Sequence, residues 1–160
     1  EGRLYSRAND VPQSVDDGDA FISSFKAAVA TNATIELVID TTASTKYSYM
    51  DLEVVADADF LVDFKVYEAT ARSEATTVLV LNKNRVSGVT SSTTVGSAPT
   101  AVTVGTTILW NGYITGNEPI PIGTFKLNVN KTYYIIGTPA GDGACAIGLT
   151  LNWIDRTDFA

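Results

Sequence analysis

The sequence predicts an all-β fold: a single-domain antiparallel β-sandwich with a jelly-roll-like strand order, or a barrel. Three observations support this. Thr, Val and Ile make up 48 of the 160 residues, and such β-branched side chains pack well on a pleated surface. Several segments alternate apolar and polar residues with period two, as half-buried strands do. Gly and Pro then recur at the spacing of turns between short strands, a pattern typical of sandwiches and barrels.

One domain covering residues 1–160 is expected from the length and composition. Hydrophobic residues form 45% of the chain, and at this length roughly 70% of the unfolded surface is buried on folding. The polar stretch Glu1–Asp10 does not resemble a secretory leader. Residues 1–20 are the candidate for an extended N-terminal arm.

The first predicted strands lie between residues 21 and 40. Thr34–Asp40 has an aliphatic residue at every second position, Ile35 being the first, and is predicted to be a strand. Phe21–Val29 fits both a helical stripe and a strand. We favour a strand, because Thr31 and Asn32 would then close a hairpin between the two segments.

The clearest strand is Asp59–Glu68, whose apolar positions all share one face. The preceding segment, Lys46–Val55, has a similar pattern, and Ala56–Asp59 separates the two as a short turn. A second hairpin is therefore predicted. The apolar face of the clearest strand consists of Phe60, Val62, Phe64 and Val66.

The rest of the chain reads as short strands between turn signals, without the alternation of strands and helices that a parallel sheet requires. The predicted strands are Thr76–Leu81, Thr93–Val95, Ala101–Val104, Thr107–Thr115, Thr124–Leu127, Thr132–Gly137 and Cys145–Trp153.

Composition excludes several classes of function. Without His, the chain cannot hold a nucleophile activated by histidine, and the single Cys145 cannot form an intrachain disulfide. A net charge of −7 and a pI near 4.4 make nucleic acid an unexpected partner. A membrane is not expected either, because no apolar run approaches the ~20 residues of a membrane span.

Acidic residues offer candidate metal or catalytic sites, and each has an ordinary alternative. Asp16, Asp17 and Asp19, or Asp57 with Asp59, could bind a hard cation, although solvated turns explain them better. No spacing selects a catalytic pair, so we expect no enzyme activity, metal or cofactor. The strand carboxylates are Glu36, Asp40, Asp51, Glu53, Asp63 and Glu68.

Val86–Asn117 contains 32 residues and no charged side chain. Its Val, Ile and aromatic residues are too apolar for a solvated linker. Charge depletion of this kind is typical of an interface core, while an ordinary low-charge sheet face is the alternative. A carbohydrate- or receptor-binding module is a second alternative, because aromatic residues can form a sugar-stacking platform. The candidates for that platform are Trp110, Tyr113, Trp153, Tyr47 and Tyr49.

The order of several short segments resembles a family of small all-β virion proteins of tailed bacteriophages, the head decoration, cement or auxiliary capsid proteins. The resemblance spans nearly the whole chain. The segments that carry it are Glu1-Gly2-Arg3, Val66-Tyr67-Glu68, Leu81-Asn82-Lys83-Asn84-Arg85, Gly105-Thr106-Thr107-Ile108-Leu109, Asn130-Lys131-Thr132-Tyr133-Tyr134 and Leu149-Thr150-Leu151-Asn152-Trp153.

This resemblance implies a non-enzymatic structural protein on the outer surface of the virion head. Its partners would be the major capsid protein and further copies of itself, with a trimer expected from the family. Such proteins bind where shell subunits meet and stabilise the shell against internal pressure. The residues that we expect to make these protein contacts are Asn82, Asn84, Arg85, Thr93, Thr94, Thr106, Thr107 and Trp110.

Overall fold

A computed structural model describes residues 15–58, 61–72, 76–99, 102–140 and 143–157. Nearly all of the regular structure in these ranges is β, as predicted. The strands are β1 (Ala20–Val29), β2 (Ile35–Asp40), β3 (Tyr47–Asp57), β4 (Val62–Arg72), β5 (Thr76–Val78), β6 (Val80–Asn82), β7 (Thr94–Ser97), β8 (Val102–Ile114), β9 (Ile120–Leu127), β10 (Thr132–Pro139) and β11 (Cys145–Arg156).

The strands form two antiparallel sheets packed face to face. The first sheet has the order β6-β1-β11-β3-β9 and the second has the order β5-β7-β2-β10-β4-β8. Four of the eight longer strands lie in each sheet, in the orders β1-β11-β3-β9 and β2-β10-β4-β8, which is the jelly-roll arrangement. The fold is therefore the predicted sandwich, and the barrel alternative is wrong because each sheet ends in an edge strand on both sides.

Both predicted hairpins are wrong, although the strands themselves are present. Phe21–Val29 forms a strand, as favoured, but β1 and β2 belong to different sheets, and so do β3 and β4. The turn at Thr31 and Asn32, where Asn32 adopts a left-handed backbone (φ 61°), leads the chain from one sheet to the other. A short turn suits such a crossing as well as a hairpin, because facing sheets are only about 10 Å apart.

Three further strand predictions change in the structure. The expected strand Thr76–Leu81 is split at Leu79, so that β5 joins the second sheet and β6 joins the first. The expected strands Ala101–Val104 and Thr107–Thr115 are one strand, β8. Asp59 and Phe60, with which the clearest predicted strand begins, lie outside the described residues.

The core fills the space between the sheets and contains residues from the first strand, β1, to the last, β11. Trp153 on β11 stacks on Phe21 of β1 with 5.9 Å between the ring centroids, which joins the first and last strands. Gly137 allows a close approach of β10, since a Cβ there would lie 2.9 Å from Ile35 and 3.0 Å from Phe64. Of the candidate N-terminal arm at residues 1–20, positions 1–14 lie outside the described residues, and Ala20 already belongs to β1.

Candidate protein-binding surface

Residues 76–99, which we call the lobe, are an excursion of the chain between β4 and β8. Its strand β6 pairs with β1 of the first sheet, while β7 pairs with β2 of the second. The lobe therefore links the two sheets along the side of the sandwich where β1 and β2 lie. The Ser23 hydroxyl donates a hydrogen bond to the Leu79 carbonyl (2.9 Å) and so anchors the point where the lobe changes sheets.

The side chain of Asn82 holds the lobe in shape. Its amide nitrogen donates to the carbonyls of Gly18 (2.7 Å) and Val89 (2.8 Å). Its amide oxygen accepts from the backbone N–H of Asn84 (2.8 Å), a turn that asparagine favours. Both amide hydrogens of Asn82 are thus used inside the protein, and so is one acceptor position of its oxygen.

Asn84 repeats this pattern two residues later. Its amide oxygen accepts from the backbone N–H of Val86 (3.2 Å), and its amide nitrogen donates to the carbonyl of Asp16 (3.2 Å). Arg85 lies between these two turns and is exposed. The loop is therefore built to present the Arg85 side chain from a backbone that is fixed on both sides.

A buried polar network supports the lobe from below. Asp155, which is 3% exposed, accepts hydrogen bonds from the hydroxyls of Ser48 (2.8 Å) and Ser91 (2.7 Å). The indole N–H of Trp153 donates to Ser91 (3.1 Å), and the hydroxyls of Ser48 and Thr93 are 2.7 Å apart. Burial raises the pKa of the Asp155 carboxyl, while the two serine hydroxyls and Lys46 act in the opposite direction.

A cleft of about 370 Å³ lies over this network, between the strands of the lobe and its loop. Its described lining residues include no carboxylate and no thiol, and Arg85 is the one charged side chain among them. Its rim is apolar, because Leu79 is 69% exposed and Leu81 and Val89 are also exposed. Val86, on the same loop, is 94% exposed.

The electrostatics of the lobe differ from those of the rest of the chain. Lys83 and Arg85 are its charged residues, so it carries two positive charges and no acid, whereas the full chain has a net charge of −7. No described residue forms an ion pair with Arg85. An exposed apolar patch with an unpaired guanidinium can bind a protein surface that offers a carboxylate among apolar side chains.

The predicted contact residues fall into two separate groups. Asn82, Arg85, Thr93 and Thr94 line the cleft, and Asn84 lies beside it. Of these, Arg85 and Thr94 are exposed, whereas Thr93 is 1% exposed and belongs to the buried network.

The second group lies on β8, at the opposite edge of the second sheet. Thr107 is exposed. Trp110 is half-buried and packs edge-on against Phe64, with 6.4 Å between the ring centroids, so its ring also contributes to the core. The side chain of Thr106 lies outside the described residues. The structure therefore does not bring the eight predicted contacts together on one surface.

The exposed apolar residues of the lobe were not among the predicted contacts. Val78–Leu81 is apolar at four successive positions, so period two cannot tell which side chains face outward. The break at Leu79, where the chain changes sheets, determines which of these side chains face outward.

The candidate aromatic platform for sugars is not assembled. Trp153 is buried in the core, whereas Tyr47 and Tyr49 lie on β3 near the ammonium group of Lys126, 4.3 and 5.8 Å from their ring centroids. Trp110 and Tyr113 lie on β8, in the other sheet. These five side chains therefore offer no shared stacking surface.

Other candidate sites can be placed as well. The described part of the chain holds no group of three or more His, Cys, Asp or Glu side chains arranged to bind a metal ion; Asp59 lies outside it. Cys145 is buried, and burial raises the pKa of its thiol. Among the described residues there is no helix that is long and apolar enough to cross a membrane.

The chain was compared with protein-family models, curated proteins and solved structures, and none of them matches it.

Proposed function

We propose that this protein is a non-enzymatic structural protein that binds the outer surface of an assembled bacteriophage head through its lobe and stabilises the shell. Its partner would be the major capsid protein, and its location the exterior of the virion. The observation that carries the proposal is the exposed apolar patch of the lobe, with Arg85 unpaired among the described residues. The sequence resemblance supplies the identity of the partner.

The apolar patch favours a protein partner. Leu79, Leu81, Val86 and Val89 are all exposed and all fall within residues 79–89. Scattered single exposed hydrophobic residues are ordinary, but a cluster of them marks a protein interaction surface. Removing this cluster from water would drive association with a matching apolar surface.

Arg85 adds specificity to this patch. A guanidinium can bind a carboxylate through two parallel charge-assisted hydrogen bonds, which fixes orientation as well as adding energy. The internal hydrogen bonds of Asn82 and Asn84 order the loop before binding, so less conformational entropy is lost on association. A shell presents many equivalent sites, and modest contacts per copy can then bridge neighbouring subunits.

Co-sedimentation with undecorated capsids from the same source tests the proposal. Wild-type protein is expected to pellet with the capsids up to a fixed number of copies per shell. Arg85→Ala removes a charge-assisted interaction worth about 1.5–3 kcal/mol, so its Kd should rise by roughly 10- to 100-fold. Leu79→Ser should also weaken binding, because it removes exposed apolar surface.

Lys26→Ala is the matched control, since Lys26 is an exposed cation on β1 outside the lobe. It should bind like wild type, and all three variants should retain the wild-type melting temperature. Wild-type protein that stays in the supernatant contradicts the proposal. Equal binding by Arg85→Ala and wild type would remove Arg85 from the interface. If wild-type protein instead bound a glycan array, the carbohydrate-binding alternative would replace the proposal.

A further inference from the structure

The four edges of the two sheets are not equally protected. Exposed edge strands can pair with other chains, and proteins prevent this with short strands, prolines, lysines or bulges. The edge strands β5 and β6 have three residues each. The edge strand β9 contains Pro121 and Lys126, has Gly123 at a φ of 143°, and shows a shift of register where it pairs with Leu52 and Glu53.

The fourth edge strand, β8, lacks most of these features. It has 13 residues, none of which is charged or proline. It pairs with β4 on one side, and no strand of the described ranges pairs with its other side. Register shifts opposite Val66, Tyr67 and Ala69 interrupt this pairing, but Trp110–Ile114 pairs regularly with Val62–Val66. This run leaves a regular row of backbone groups at the edge.

Apolar side chains are also exposed along this edge. Ile108 is 51% exposed and Tyr113 is 65% exposed. Leu61, 46% exposed, lies two residues before Asp63, the register partner of Tyr113. With the four residues of the lobe, these three account for all the large hydrophobic side chains that are exposed in the described part of the chain.

We propose that β8 is a self-association edge, where residues 110–114 pair antiparallel with the same residues of a second copy across a two-fold axis at Gly112. This pairing would join the second sheets of the two copies edge to edge and would make the two exposed Tyr113 residues diagonal neighbours across the axis, about 7–8 Å apart. It does not depend on the lobe or on what the lobe binds.

The charge pattern favours a second copy over a different partner strand. A two-fold interface places each patch against itself, so any charge near the axis would meet a like charge. Charged residues form 18% of the chain, yet β8 has none. On the neighbouring strand, Lys65 is paired with Asp63 at 3.1 Å. Two copies that each carry −7 can therefore meet at this edge with little repulsion.

Light scattering coupled to size-exclusion chromatography, on the full chain over a range of concentrations, tests the pairing. The wild type is expected to have twice the 17.0 kDa mass of one chain. Tyr113→Lys places a cation opposite Asp63, which β4–β8 pairing tolerates, but it sets two cations near each other across the two-fold axis. The Kd of the dimer should rise by at least about tenfold.

Thr124→Lys is the matched control, because it places the same cation on the β9 edge opposite Asp51. It should remain dimeric. Hydrogen exchange of the wild type supplies a second readout: amides within residues 110–114 should become more protected as protein concentration rises, while those of β9 should not change. A monomeric wild type overturns the proposal. So does a trimer, the state expected from the sequence resemblance, or a dimer that Tyr113→Lys does not weaken.

Discussion

Asp155 gives the fold a specific dependence on pH. Burial raises the pKa of its carboxyl above the ordinary value of 3.8, so the folded protein binds this proton more tightly than the unfolded chain does. The resulting stabilisation is complete when pH is below the pKa that Asp155 has in the unfolded chain. It is lost as pH rises through the higher pKa that Asp155 has in the folded protein. As pH is lowered from about 7 towards 4, the unfolding free energy of wild type should therefore rise relative to that of Asp155→Asn.

Urea unfolding of both proteins at a series of pH values measures this difference. The amide that replaces the carboxyl in Asp155→Asn does not titrate, so subtracting the curve of this variant removes the contribution of the other carboxylates. If the unfolding free energy of wild type instead fell relative to that of Asp155→Asn on acidification, the hydroxyls of Ser48 and Ser91 would outweigh burial. The pKa of Asp155 in the folded protein would then lie below the ordinary value.

Asn82 and Arg85 show how far sequence analysis can go for single residues. Both are polar residues in a loop, and both were predicted to contact a partner. Only the folded structure brings the carbonyls of Gly18 and Val89 to the Asn82 amide, which gives Asn82 an internal role. Arg85 has no such contact among the described residues. Sequence can indicate that a segment is polar, but it does not reveal which distant carbonyls meet its side chains.

Strand β8 depends on a glycine for its packing. Gly112 lies opposite Phe64, and the Trp110 ring covers it, so that a Cβ would lie 2.6 Å from Trp110 Cη2. Gly112→Ala would push the indole away from Phe64. Forcing an extra methyl group into a packed site costs about 1–3 kcal/mol, and we expect a loss of unfolding free energy of this size in urea titrations.

Gly88→Ala is the control for this substitution. A Cβ at Gly88 meets no atom within 4 Å, so its effect should stay within about 0.5 kcal/mol. If both substitutions lowered the unfolding free energy equally, the loss would come from the backbone propensity of alanine and not from contact with Trp110.

At the level of elements, the sequence predicted strands well and their partners poorly. Period two shows which residues of Val62–Glu68 face a core, because that pattern is set locally by the backbone. Pairing is not local: β1 pairs with β11, more than a hundred residues away. A short turn such as Thr31–Asn32 is compatible with a hairpin or with a crossing between sheets, and the turn residues alone do not distinguish these outcomes.

Across the whole molecule, the two exposed apolar surfaces lie on opposite sides. The lobe adjoins β1 and β2, whereas β8 forms the far edge of the second sheet. A dimer formed through β8 would therefore leave both lobes free. Each dimer could then hold two neighbouring sites of a shell at once, and the second binding event would be intramolecular. The uncharged segment Val86–Asn117, recognised in the sequence, contributes to both surfaces rather than to one interface.

The jelly-roll topology also predicts slow folding. No two described strands that are consecutive in the chain pair with each other, so every strand pair must close a long loop before it gains its contacts. Sandwiches dominated by such contacts fold in about milliseconds to seconds.

The stack of Trp153 on Phe21 joins β11 to β1 and reports the closure of the longest loop. In a Trp110→Phe variant, Trp153 is the one remaining tryptophan of the two in the sequence. Stopped-flow refolding of that variant should show its fluorescence change in the millisecond-to-second range. A complete change within microseconds would contradict the topology, because only local pairing is that fast.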